Sequence, residues 1–262
     1  PRTAFAARFA ARVRPIPSVH TLCSLPAEGV AIRPSLFAQR SVVVSPWAQR
    51  RLAAEGVEVP CIEPAVLPLS TTAEGQARCR ETYGDYLLFA GDLRPQGGVW
   101  RALNVLKALD ASLRLVIACR DKTEADRGRR QQVLAQIEAL GLTHRVDVLG
   151  QIDWLGDLVA AARLQLFLAT DLTGKMDYPL VLLEGFAAGV PSVVAAQAPL
   201  ADVQHDALGV ASPDDVADVV RVVEQTLGVA SADARALYQA RFAPPRLARA
   251  YRSLYDALAE PS

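Results

Sequence analysis

From Tyr86 onward, short and nearly continuous apolar runs alternate with amphipathic stretches. The runs Tyr86 to Ala90, Leu113 to Cys119, Val146 to Leu149, Leu164 to Ala169 and Pro191 to Ala195 read as strands. The stretches Trp100 to Leu109, Glu124 to Leu140, Leu155 to Arg163, Pro179 to Ala188 and Pro213 to Leu227 read as helices. Apolar strands separated by amphipathic helices predict a parallel sheet covered on both faces. The region before Tyr86 is less regular. Ser18 to Thr21 predicts a short buried strand, and Ser41 to Ser45 a clearer, β-branched one. Pro46 opens a helix that runs to Gly56, and Val57 to Ile62 predicts another strand, broken by Glu63-Pro64. Pro68 to Arg80 is polar, small and turn-prone, and predicts a linker. The tail predicts a helix over Ala232 to Arg241 and, after Pro244-Pro245, a last one through Leu247, Tyr251, Leu254 and Leu258. Arg2 to Arg14 reads as a basic helix with Phe5 and Phe9 at helical spacing; a packed helix and a membrane-surface helix both fit it.

The stretch from Lys175 to Pro191 stands apart. Pro179 suits a first helical position, Asp177 or Tyr178 a cap, and Gly189 with Pro191 a stop. The resulting helix is apolar on every side, which predicts burial all round, and Glu184 is its one exception. A carboxylate there needs a partner. An Arg or Lys from a neighbouring element would serve; so would the hydroxyls of a ligand. The helix start, at Leu180 and Val181, offers free N–H groups and a positive dipole end that suit a phosphate. One short helix thus outlines a sugar-nucleotide site.

Composition narrows the classes. Over 262 residues, 28 basic side chains balance 28 acidic ones, which argues against an electrostatic nucleic-acid binder. Half the residues are hydrophobic, enough for a sizeable core, yet no run is long and apolar enough to predict a membrane span. Four scattered cysteines lack metal-ligand spacing and read as free thiols of a reducing compartment, so a cytoplasmic location is expected.

Pro179-Leu180-Val181-Leu182-Leu183-Glu184-Gly185-Phe186-Ala187-Ala188-Gly189-Val190-Pro191 resembles the signature of the family-4 retaining glycosyltransferases. That resemblance implies an α/β fold of two Rossmann-like halves, the B-type glycosyltransferase fold. It implies that Glu184 binds the ribose hydroxyls of a nucleotide-sugar donor. The family's first Glu of the motif falls on Met176, and Asp177, one place on, is the expected substitute. Gly91-Asp92-Leu93-Arg94-Pro95-Gln96-Gly97-Gly98 resembles the family's glycine loop at the end of the first strand, where Arg and Lys neutralise the diphosphate. Those two positions are Asp92 and Gly97 here. Arg94, Arg120, Lys122 and Lys175 are the candidate substitutes, with Arg94 and Lys175 foremost, and Gly91, Gly97 and Gly98 count with the loop. Val146 to Gly150 is similar to the family's strand before the nucleobase, which places Val148 among backbone contacts to the base. His20, before Thr21, is similar to the family's His-Thr, whose histidine meets the donor sugar.

The expectation is a transferase that moves a sugar from a nucleoside diphosphate to an acceptor with retention of configuration. No metal or other cofactor is expected, and the departing diphosphate helps deprotonate the acceptor. The acceptor, whether a glycan, a lipid-linked sugar or a small molecule, is left open. So are self-association and contact with the inner face of a membrane. A non-catalytic nucleotide-sugar-binding remnant is the alternative, favoured by Met176, Asp92 and Gly97; an epimerase on the same fold lacks visible acid and base groups. The expected domains are a partial N-terminal, acceptor-side half over 1–68, a donor half over 69–243, and a helix over 244–262 that returns to the first half. The short first half and the opening at Pro1 predict that the chain is truncated.

Overall fold

A computed structural model describes residues 17–121, apart from 28, 34 and 35, and residues 123–259. The predicted helix over Arg2 to Arg14 lies outside the described residues, as does Lys122. The chain divides into two compact units. One gathers the described residues of 1–66, 172–179 and 241–262; the other holds 67–171 and 180–240.

The larger unit is built on a six-stranded parallel sheet. Its strands are β3 (Tyr86–Ala90), β4 (Arg114–Ala118), β5 (Val146–Leu149), β6 (Leu164–Phe167), β7 (Ser192–Ala195) and β8 (Leu208–Ala211). Their spatial order is β5-β4-β3-β6-β7-β8. The order reverses between β3 and β6, which makes that junction the switch point of a doubly wound sheet. The helices are α2 (Ala73–Tyr83), α3 (Val99–Ala108), α4 (Glu124–Ala139), α5 (Leu155–Ala161), α6 (Leu180–Ala188), α7 (Val216–Leu227) and α8 (Ser231–Leu237). The core lies on both faces of the sheet. Leu87, Phe89, Leu115 and Ile117 pack with α3, α4 and α7 on one side. Tyr86, Leu88 and Val116 pack with α2 and α5 on the other. The alternation of odd and even strand residues between these two clusters is the pleat of a strand buried on both faces.

The smaller unit pairs β1 (Val19–Leu22) with β2 (Arg40–Val43) in parallel. The helix α1 (Pro46–Ala54) follows β2 and buries Ala48 and Leu52 against Leu22, Ile32 and Val43. Ser45 caps α1, its Oγ accepting from the Ala48 N–H at 3.0 Å. The last helix, α9 (Pro244–Ala259), belongs to this unit, where the hydroxyls of Tyr251 and Thr21 meet at 2.6 Å.

Three expectations are corrected and one strand, β8, is added. Residues 73–83 are the helix α2, not a linker: Thr72 caps it by accepting from the Gly75 N–H, and Cys79 and Tyr83 supply the buried face. β8 was hidden in the sequence because Gly209 interrupts its apolar run. There is no room at that glycine, since a Cβ would lie 2.5 Å from Thr226 Oγ1. Val57 to Ile62 forms no strand beyond one bridge between Cys61 and Val43. The helix expected through Arg241 ends at Leu237, and a π-helical turn over Tyr238–Phe242 follows.

Candidate active site

The larger unit positions its site through the switch point. The loop after β3 runs from Gly91 to Gly98 into α3, and the chain after β6 leaves beside it. Gly98 has φ +94°, and a Cβ there would lie 2.5 Å from the Leu168 carbonyl carbon and 2.8 Å from Ala169 N. Only glycine combines that conformation with that approach. The Thr170 N–H donates to the Gln96 carbonyl at 3.0 Å and stitches loop and strand exit together. A Cβ on Gly97 would lie 2.5 Å from Asp92 Oδ1, so this glycine makes room for the Asp92 carboxylate. The Cys119 thiol, at the end of β4, donates to the Gly91 carbonyl at 3.0 Å, and burial pushes its pKa up to about 11. Arg130 then fastens the ends of β4 and β5, donating to the Cys119 and Leu149 carbonyls.

Arg94 does not stand alone. Its Nε donates to Asp92 Oδ2 at 2.9 Å, so the residue that replaces the family's cation is ion-paired with the nearest substitute. Arg94, expected as a substitute cation, is thus held within the loop by Asp92. Arg120, exposed beyond the end of β4, has no ion-pair partner among the described residues. Val148 lies in β5 opposite Ile117.

The helix α6 follows β6 and precedes β7, so a right-handed crossover points its start toward the strands' C-terminal ends. Leu182, Leu183, Gly185 and Phe186 are buried. The expected burial all round fails at the tip, where Leu180 is 42% exposed. Glu184 is half-buried. It has no hydrogen-bond or ion-pair partner among the described residues, and burial raises its pKa above the ordinary carboxylate range. No Arg or Lys among the described residues neutralises it.

Gln165 on β6 is a residue the sequence reading passed over. It is 1% exposed and its Nε2 donates weakly to the Leu182 carbonyl, at 3.3 Å. A Cβ on Gly185 would lie 1.7 Å from that nitrogen, so the glycine lets α6 settle on the glutamine. One polar residue inside Leu164–Phe167, an otherwise apolar strand, was the available signal.

The remaining candidates lie in the smaller unit. Asp177 is 3% exposed. Its Oδ2 accepts from Ser45 Oγ at 2.5 Å, and its N–H donates to the Cys23 carbonyl at 2.9 Å. Burial pushes its pKa up to about 6, against the opposing effects of Ser45 and Arg51. The Asp177 expected at the donor sugar thus anchors the cap of α1 through Ser45. Tyr178, beside it, is fully buried, donates to Glu63 at 3.3 Å and meets Phe242 edge-on. Glu63 in turn takes a two-pronged ion pair from Arg241. Lys175 belongs to the same segment, and burial lowers its pKa. His20 stacks on Phe37 at 4.4 Å, its Nδ1 is buried without a hydrogen-bond partner among the described residues, and burial lowers its pKa. Among the described residues no three His, Cys, Asp or Glu side chains gather as for a metal.

The comparisons follow this geometry. The family model for glycosyl transferases group 1 matches residues 84–228, more than half the chain and nearly all of the six-stranded unit. The chain belongs to that family. Its matched span runs from just before β3 to the end of α7 and includes both Glu184 and the glycine loop. No curated protein matches the sequence as a whole. Among solved structures, Anabaena HepE in complex with UDP is similar with a TM-score of 0.85 at 17% identity, over 98% of this chain and 76% of that one. A glycosyltransferase from Rickettsia africae gives 0.84 at 13% identity, over 98% and 75%. Sucrose-phosphate synthase from Thermosynechococcus elongatus gives 0.76 at 17% identity, over 97% and 72%. These likenesses show the B-type glycosyltransferase fold for this family member.

Proposed function

We propose that the chain transfers a sugar from a nucleoside diphosphate to an acceptor with retention of configuration, as a family-4 enzyme that needs no metal. The observation that carries the reading is Glu184. A half-buried carboxylate with a raised pKa and no partner among the described residues is stabilised when hydroxyl groups reach it. Ribose supplies two such hydroxyls. The α6 start, at Leu180 and Val181, and the loop glycines Gly91, Gly97 and Gly98 present backbone at the switch point, where doubly wound sheets take their ligands. Arg120 supplies positive charge to the diphosphate, and the unspent N–H groups of Arg94 supply hydrogen bonds. Val148 lines the base side through its backbone. HepE, of similar fold, was solved with UDP, which supports a diphosphate donor here. Lys175 and His20 are retained as donor contacts on the strength of the resemblance.

In this reading the protein supplies position and charge. Donors fixed where negative charge grows on the departing diphosphate stabilise it without reorganisation. The leaving phosphate oxygen takes the acceptor's proton, so no protein base is required. A carboxylate such as Glu184 fixes the ribose and with it the reach of the anomeric carbon; a misplacement of about 1 Å already costs about a hundred-fold.

Proton NMR of the product formed from an α-linked donor tests the proposal. An α-linked product at unchanged rate in excess chelator is expected. A β-linked product overturns retention, and loss of turnover on chelation overturns metal independence.

A further inference from the structure

A second cavity of about 540 Å³ lies in the six-stranded unit, within the roughly 300–1,000 Å³ of small-molecule sites. It sits among α2, α5, the turn from α6 into β7, and α8. Arg163 and Pro191, just before β6 and β7, border it, so it opens at the strands' starting edge, opposite the glycine loop. Among the described residues three arginines line it, Arg80, Arg163 and Arg235, and no carboxylate does. Arg163 is paired with Asp85 at 2.6 Å. Neither Arg80 nor Arg235 has a carboxylate partner among the described residues. Arg80 donates only to Gln76, one turn earlier on α2, at 3.3 Å. Arg235 donates to the Ala188 carbonyl at 3.0 Å, and its guanidinium lies so near Gly189 that a Cβ there would come within 2.7 Å of Cζ. The close fit fixes the fork, and four of its five N–H groups remain to be used.

The rest of the lining decides the ligand's other end. Thr71, Gln76 and Ser231 offer hydroxyl and amide groups. Small and aliphatic residues make up the rest of the lining, and among the described residues no aromatic side chain is there to stack a nucleobase. We propose that this cavity binds a small phosphorylated sugar, with Arg80 and Arg235 on the phosphate and Thr71, Gln76 and Ser231 on the hydroxyls. Guanidinium forks match phosphate oxygens two at a time, which favours a phosphate over a lone hydroxyl group as the anchored end. The cavity far exceeds one phosphate, which leaves room for the sugar.

Calorimetric titration of the whole chain with glucose 6-phosphate tests this. Saturable binding is expected, weakened at least ten-fold by Arg80→Ala and by Arg235→Gln and unchanged by Glu184→Ala. Orthophosphate is expected to bind more weakly and glucose not at all. Arg235→Gln also loosens the end of α6, so Arg80→Ala, which removes a side-chain hydrogen bond within its own helix, decides if the other variant unfolds. No binding, equal binding to Arg80→Ala, loss with Glu184→Ala, or orthophosphate binding as tightly as the sugar phosphate would overturn the proposal.

Discussion

The two acidic residues of the Lys175 to Pro191 stretch, seven positions apart, meet opposite fates. Glu184 is left without a partner among the described residues; Asp177 is buried against Ser45. The sequence marked Glu184 as the lone carboxylate of an apolar helix and Asp177 as a cap or a substitute for the motif's first Glu, and could not show the Asp177 partner, because Ser45 lies 132 residues away. Asp177 carries a prediction about stability. Its folded pKa, near 6, lies above the ordinary carboxylate value, so the native state holds an extra proton between those two pH values. Its contribution to stability is therefore full below about pH 4 and is lost as pH rises through 6. Asp177→Asn keeps an oxygen for Ser45 and removes the ionisation. The variant should gain about 1–3 kcal/mol relative to wild type between pH 5 and pH 8, at about 1.4 kcal/mol per pKa unit. Denaturant melts at the two pH values check this, and an unchanged difference would show that the carboxyl ionises without penalty.

At the scale of elements, the doubly wound sheet was legible because apolar strands and amphipathic helices differ in period. β3 to β7 and α3 to α7 appear where the pattern puts them, within a few residues. The misses have local causes. α2 is polar on most of its surface and buries only Gly75, Cys79 and Tyr83, so its composition imitates a linker. β8 is interrupted by a glycine that Thr226 and Val222 require. The glycine loop was legible as a ligand loop, but not the Asp92–Arg94 pair within it, since side-chain direction is absent from spacing. The loop makes its own prediction. Gly98→Ala forces an L side chain into positive φ and against the Leu168–Ala169 backbone, and should cost about 2 kcal/mol or more. Thermal unfolding that matches wild type would mean the loop can move off β6 without cost.

For the whole molecule, the two compact units are each assembled from separated stretches of the chain. The chain leaves the six-stranded unit at Leu172 and re-enters at Leu180, and the short excursion between them carries the buried Asp177 and Tyr178 of the smaller unit. No local pattern announces this, because its contacts run to Cys23, Ser45, Glu63 and Phe242, more than sixty residues away along the chain. Over the whole molecule charge balances, no described helix is long and apolar enough to cross a membrane, and the reading proposed for the span the family model matches is a nucleotide-sugar donor site. That reading rests on Glu184. Titration calorimetry of UDP, GDP and ADP into wild type and Glu184→Ala at pH 8 tests it most directly. One diphosphate should bind wild type and lose about ten- to a hundred-fold in the variant, the roughly 1.5–3 kcal/mol of a hydrogen bond to a charged group. Equal affinity in a folded Glu184→Ala variant would contradict the ribose role and with it the site.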